Sequence, residues 1–98
     1  MENFSVNITV QDCCQNRCHS SNVSTTKIFT STDDFISLQC FYYLKIISVR
    51  DTYVVLSIDN GTIFFVRKVF IGIPIRICIP NDCSSHIITV LVNSIVRG

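Results

Sequence analysis

The chain has no tryptophan, three glycines, two prolines and only 15% charged residues. Without tryptophan the usual platform for stacking a sugar ring is missing, and Tyr42, Tyr43 and Tyr53 are the residues left to supply one. So few charges among so many apolar residues exclude a disordered segment. A formal net charge of +1 gives no long-range field to gather nucleic acid or an anionic membrane, so neither nucleic acid binding nor membrane insertion is expected. No transmembrane helix is expected either. The most apolar stretch, TIFFVRKVFIGIPIRICIP, is interrupted by Arg67, Lys68 and Arg76 and by Pro74 and Pro80. The opening MENFSVNITV has neither the basic nor the apolar region of a signal peptide, which predicts a protein made without one. G-x-S-x-G, H-E-x-x-H and phosphate-loop motifs are absent, and no enzyme activity or cofactor is expected.

What is present is strand chemistry. Phe4, Val6, Ile8 and Val10 alternate with Ser5, Asn7 and Thr9 at period two. LKIISV, TYVVLSI, TIFFV, VFIGI and HIITVLV are dense in β-branched and aromatic residues, which fit a pleated surface. In GIPIRICI, Ile73, Ile75, Ile77 and Ile79 share one face, and in the last strand Ile88, Val90, Val92 and Val96 share another. Turn residues separate these runs at Thr32-Asp33-Asp34, Arg50-Asp51, Asp59-Asn60-Gly61 and Pro80-Asn81-Asp82. No segment shows the i, i+3, i+4, i+7 stripe of a helix. The reading is an all-β, jelly-roll-like β-sandwich of about seven or eight strands.

Residues 15–26, QNRCHSSNVSTT, are small and polar without an apolar period, and read as a linker. This divides the chain into an N-terminal extended arm with its linker, residues 1–24, and a sandwich domain, residues 25–98. Twelve extended residues ahead of Cys13 would reach about 40 Å, more than the width of such a domain.

Six cysteines, Cys13, Cys14, Cys18, Cys40, Cys78 and Cys83, are a high load for 98 residues. They suggest a disulfide framework in an oxidising place. Cys13–Cys18 and Cys78–Cys83 are both C-x4-C with His19 and His86 nearby, but structural zinc sites favour C-x2-C knuckles, and no metal is expected. Cys83 and His86 could form a nucleophile and base, and Asp33-Asp34 a carboxylate pair; both stretches read better as polar turns. Cys13 and Cys14 are adjacent, so on an extended strand they face opposite sides and cannot readily bond each other. Two arrangements meet this. Either an arm enters the crevice between stacked copies, with Phe4, Val6, Ile8 and Val10 packing there, or residues 4–10 are the first strand of their own sheet and all six cysteines pair internally.

An apolar residue, a two-residue spacer and Cys-Cys, here Val10, Gln11-Asp12 and Cys13-Cys14, precede a small β domain. This layout resembles the subunits of bacterial endospore appendages, the Ena fibres. The resemblance implies a jelly-roll domain whose N-terminal connector bridges to preceding subunits through disulfides. Cys18 stands after a shorter spacer than that family has, and Cys40, Cys78 and Cys83 are the acceptors the resemblance leaves. It further implies a structural subunit that assembles head-to-tail with identical copies into a cross-linked fibre, extracellular or on a spore surface. The competing reading is a monomeric secreted binding module with three internal disulfides. In its favour are three N-glycosylation sequons, Asn7-Ile8-Thr9, Asn22-Val23-Ser24 and Asn60-Gly61-Thr62.

Overall fold

The computed structural model describes residues 3–15, 20–58, 61–78 and 86–97. They form eight strands in two four-stranded antiparallel sheets. The first sheet combines β1 (Phe4–Gln15), β2 (Ser20–Phe29), β7 (Ile75–Cys78) and β8 (His86–Arg97) in the order β2-β1-β8-β7. The second holds β3 (Phe35–Ser37), β4 (Tyr43–Val49), β5 (Tyr53–Ile58) and β6 (Thr62–Arg67) in chain order. The alternating pattern does what period two demands. Val6, Ile8 and Val10 of β1, Leu44 and Ile46 of β4, Leu56 and Ile58 of β5, and Ile88, Val90 and Val92 of β8 point inward and are buried. Gly61 closes the β5–β6 hairpin with a positive φ of 101°, its N–H donating to the Ile58 carbonyl at 3.0 Å.

The all-β sandwich stands, but its topology is not a jelly roll. Within each sheet, strands adjacent in sequence are adjacent in space, and β8 returns to pair with β1. That is an up-and-down meander pressed into two layers. A jelly roll needs Greek-key connections that carry the chain past intervening strands, and none joins the described strands.

Residues 4–15 are not a free connector arm. They are β1, hydrogen-bonded on both edges, to β2 and to β8. β2 itself starts at Ser20, inside the expected linker, and runs through the expected boundary at residue 24. The physical reason is burial. Phe4, Val6, Ile8 and Val10, expected to pack against a neighbouring copy, belong to this chain's own core. Fully burying four such side chains stabilises by roughly 6–12 kcal/mol as an upper estimate, which an arm in solvent would forgo.

Two bulges reset the alternation. Asn93 is the extra residue opposite the Asn7/Ile8 step, so beyond it Ile95 turns inward. Val96, expected on the buried face, is 59% exposed. The Asn93 amide donates to Asn7 Oδ1 at 3.2 Å and to Thr9 Oγ1 at 2.9 Å, which fixes the bulge. Ile47 is the second extra residue, and past it Val49 rather than Ser48 is buried. The run VFIGI is not a strand. Lys68–Phe70 forms a 3-10 turn, Gly72 takes a φ of 84°, and Ile73 is exposed.

The body is elongated, 42 × 24 × 20 Å. β1 and β8 run its length in opposite directions, so each end of the molecule is a pole with its own residues. The end of β1, the start of β8, the end of β7 and the 3-10 turn Gln39–Phe41 share one pole. Phe4, Arg97, the β4–β5 turn and the turn Lys68–Phe70 share the other.

Candidate functional site

Among the described residues the cysteines gather at the first pole. Asp12 is buried, so its neighbour Cys13 faces outward, half-buried and unpaired. Cys13 lies opposite Ile87, and Ile87 opposite Cys78, which puts the two cysteines in one cross-strand row with a residue between them. Two strand spacings set their Cα atoms about 10 Å apart, beyond the reach of a disulfide. Cys78 is engaged in a disulfide of its own. Cys14 pairs along the backbone with His86. Cys40 stands in the 3-10 turn at the same pole. Cys18 and Cys83 lie outside the described residues, in the β1–β2 and β7–β8 connections, as does His19.

Asp12 organises this pole, and in the sequence it reads only as part of a spacer. Its carboxylate is 4% exposed and accepts a 2.6 Å hydrogen bond from the Gln39 backbone N–H. The Gln39 side-chain amide returns a 3.0 Å bond to the Asp12 carbonyl. Hydrogen bonds of these two kinds, to a carboxyl oxygen and to a backbone carbonyl, contribute roughly 0.5–3 kcal/mol each. This pair clamps the turn that carries Cys40 onto the strand that carries Cys13. At the tip of the turn Phe41 has a φ of 65° and is 90% exposed. A bulky side chain in the left-handed region costs on the order of 1–3 kcal/mol. Here it is spent holding an aromatic ring in solvent.

The outer faces of the two sheets differ in chemistry. The first presents Asn7, Thr9, Gln11, Ser24, Thr26 and Thr89 together with an exposed Ile28, with a shallow depression of about 270 Å³ among Thr9, Gln11, Ser24, Pro74, Thr89 and Leu91. The second carries more large apolar side chains, interspersed with Lys45, Ser57 and Arg67. Phe35, Ile47, Ile63 and Phe65 are each more than two-fifths exposed. Phe35 meets Tyr43 edge-on at 5.2 Å, and Tyr53 meets Phe65 at 5.6 Å. A smaller depression of about 230 Å³ lies among Phe35, Tyr43 and Lys45. Among the described residues no three His, Cys, Asp or Glu side chains come together to hold a metal ion. Asp33 and Asp34 do not form a carboxylate pair. Asp34 accepts from the Thr30 and Ser31 backbone N–H groups at 3.0 and 3.2 Å, and the Asp33 N–H bonds the Ser31 hydroxyl. They close the β2–β3 connection.

The described residues therefore form an eight-stranded antiparallel β-sandwich with a cysteine-bearing pole and large apolar side chains exposed on the outer face of the second sheet. Comparison with known proteins found no matching family model, no matching curated protein and no matching solved structure.

Proposed function

We propose that this chain is a structural subunit that associates with identical copies and is fixed to them by disulfides, at an extracellular or spore surface. The observation that carries the reading is the unpaired Cys13 thiol, held outward at the pole where Cys14, Cys40 and Cys78 also stand. Exposed Phe35, Ile47, Ile63 and Phe65 on the outer face of the second sheet support it, as apolar surface that a second copy can cover. A net charge of +1 leaves little repulsion between copies. The likeness to endospore appendage subunits is then one of purpose. The joint differs, because β1 is built into its own sheet and the cross-link runs from pole to pole rather than along a connector.

A secreted, glycosylated binding module is the second reading. Against it, the Asn7 side chain already accepts the Asn93 amide on the central strand of a sheet, and Thr9 of the same sequon bonds Thr26 at 2.9 Å. The test is gel electrophoresis of oxidised protein with and without reductant. Covalent oligomers that collapse to monomer on reduction, and that diminish in Cys13→Ser, are expected. A single monomer band in both lanes refutes the reading.

A further inference from the structure

The pole opposite the cysteines carries apolar side chains that nothing in the fold uses. Val69 is 77% exposed, Phe70 46% and Ile73 49%. They come from VFIGI, a run with strand composition that pairs with no strand. The segment is nonetheless held in place. The Lys68 N–H donates to the Thr52 carbonyl at 2.8 Å and the Gly72 N–H to the Val92 carbonyl at 2.9 Å. Within the turn the Ile71 N–H bonds the Lys68 carbonyl and the Ile73 N–H bonds the Phe70 carbonyl. Ile71 alone turns inward and packs against the core. The fold thus anchors one residue of the turn and presents its neighbours to solvent.

Cations rim this tip. Arg67 and Lys68 precede it and are exposed, and Arg50 stands in the adjoining β4–β5 turn. Asp51 of that turn is neutralised by Arg97. Asp33 and Asp34 belong to the β2–β3 connection, at the same pole but across the width of the sandwich, at the sheet edge opposite β6 and β7.

We propose that this tip docks on an anionic lipid surface, Val69, Phe70 and Ile73 entering the interface while Arg67, Lys68 and Arg50 meet the headgroups. The apolar side chains project from the end of a narrow body rather than lining a groove, a shape suited to a deformable layer. The cationic rim matches the negative potential of such a layer. Docking of this kind is peripheral; among the described residues no helix is long and apolar enough to cross a membrane. The inference does not depend on the cross-linking proposed above.

The test is sedimentation of the reduced full-length chain with vesicles of phosphatidylcholine alone, and with about one-third phosphatidylglycerol. Binding to the anionic vesicles that falls as salt rises is expected. The V69S/F70S double variant should bind roughly tenfold more weakly, and R67Q/K68Q about tenfold more weakly. Both changes are at exposed positions, and circular dichroism confirms the fold of each. No binding to anionic vesicles overturns the proposal. So does binding that survives V69S/F70S but is lost in I63S/F65S, which would move the contact to the face of the second sheet.

Discussion

At the residue scale, single side chains decide the ends of elements. Asp34 ties the β2–β3 connection through the Thr30 and Ser31 N–H groups. The Thr30 backbone bond is the largest influence on its carboxyl and holds it below the ordinary carboxylate range, helped by the charge of Lys27. A carboxyl with a depressed folded pKa contributes stability above its unfolded pKa and loses it as pH falls through the folded value. Asp34→Asn should therefore be less stable than the parent at neutral pH, with the gap closing below about pH 3–4. Urea unfolding at two pH values measures this, and a gap independent of pH would contradict it. Such detail was not legible in the sequence, where Asp33 and Asp34 look alike. Asp12 was equally hidden, because its partner Gln39 is far along the chain. Phe41 reads as one more apolar residue, and only its backbone conformation marks it out.

At the element scale, period two and β-branched runs identified β1, β4, β5, β6 and β8, because alternation is a local property of the pleat, but they missed β2, whose residues 20–26 are mostly small and polar. They could not say what each strand pairs with. Phe4 to Val10 would alternate in the same way in a docking arm or in an inner strand, and long-range pairing to Arg97 through His86 decided for the strand. VFIGI shows the reverse: strand composition with no sheet edge left for it. Bulges are also invisible to a simple alternation, which is why Val96 reads as buried. The β1 assignment has a sharp consequence. Removing residues 1–14 takes the middle out of the first sheet and exposes the inner faces of β2 and β8. The buried side chains it deletes contribute stabilisation comparable to the whole stability of a small domain, about 5–15 kcal/mol. The truncated chain is expected to be unfolded by circular dichroism and cooperative thermal melting. A folded truncation product with a normal melting transition would restore the detachable arm.

At the scale of the whole molecule, the position of the cysteines constrains how copies can be joined. Among the described residues, every cysteine is at one pole. Intermolecular disulfides there, as proposed, would unite like poles, and a contact between identical surfaces would close into a two-fold dimer. A longer assembly needs a second contact elsewhere, and the sheet edges suggest which. β2 points Lys27 inward at its edge, β3 is three residues long, and β7 is four residues long and follows Pro74. Each is a recognised way of blocking edge-to-edge pairing. β6 (TIFFVR) has six residues, no proline, no bulge and no charge before Arg67, and its outer side carries Ile63 and Phe65. Antiparallel pairing of two β6 strands about Phe65 would set the two rings opposite each other and Arg67 opposite Ile63, with no like charges facing. Phe65→Lys would instead place two ammonium groups together. Phe65 is 61% exposed and its main specific contact is the Tyr53 ring, so the change should cost about 0.5–1.5 kcal/mol and leave the domain folded. Light scattering on oxidised protein is expected to show the covalent dimer retained and larger species lost. If the larger species persist in this variant, β6 is not where the dimers meet.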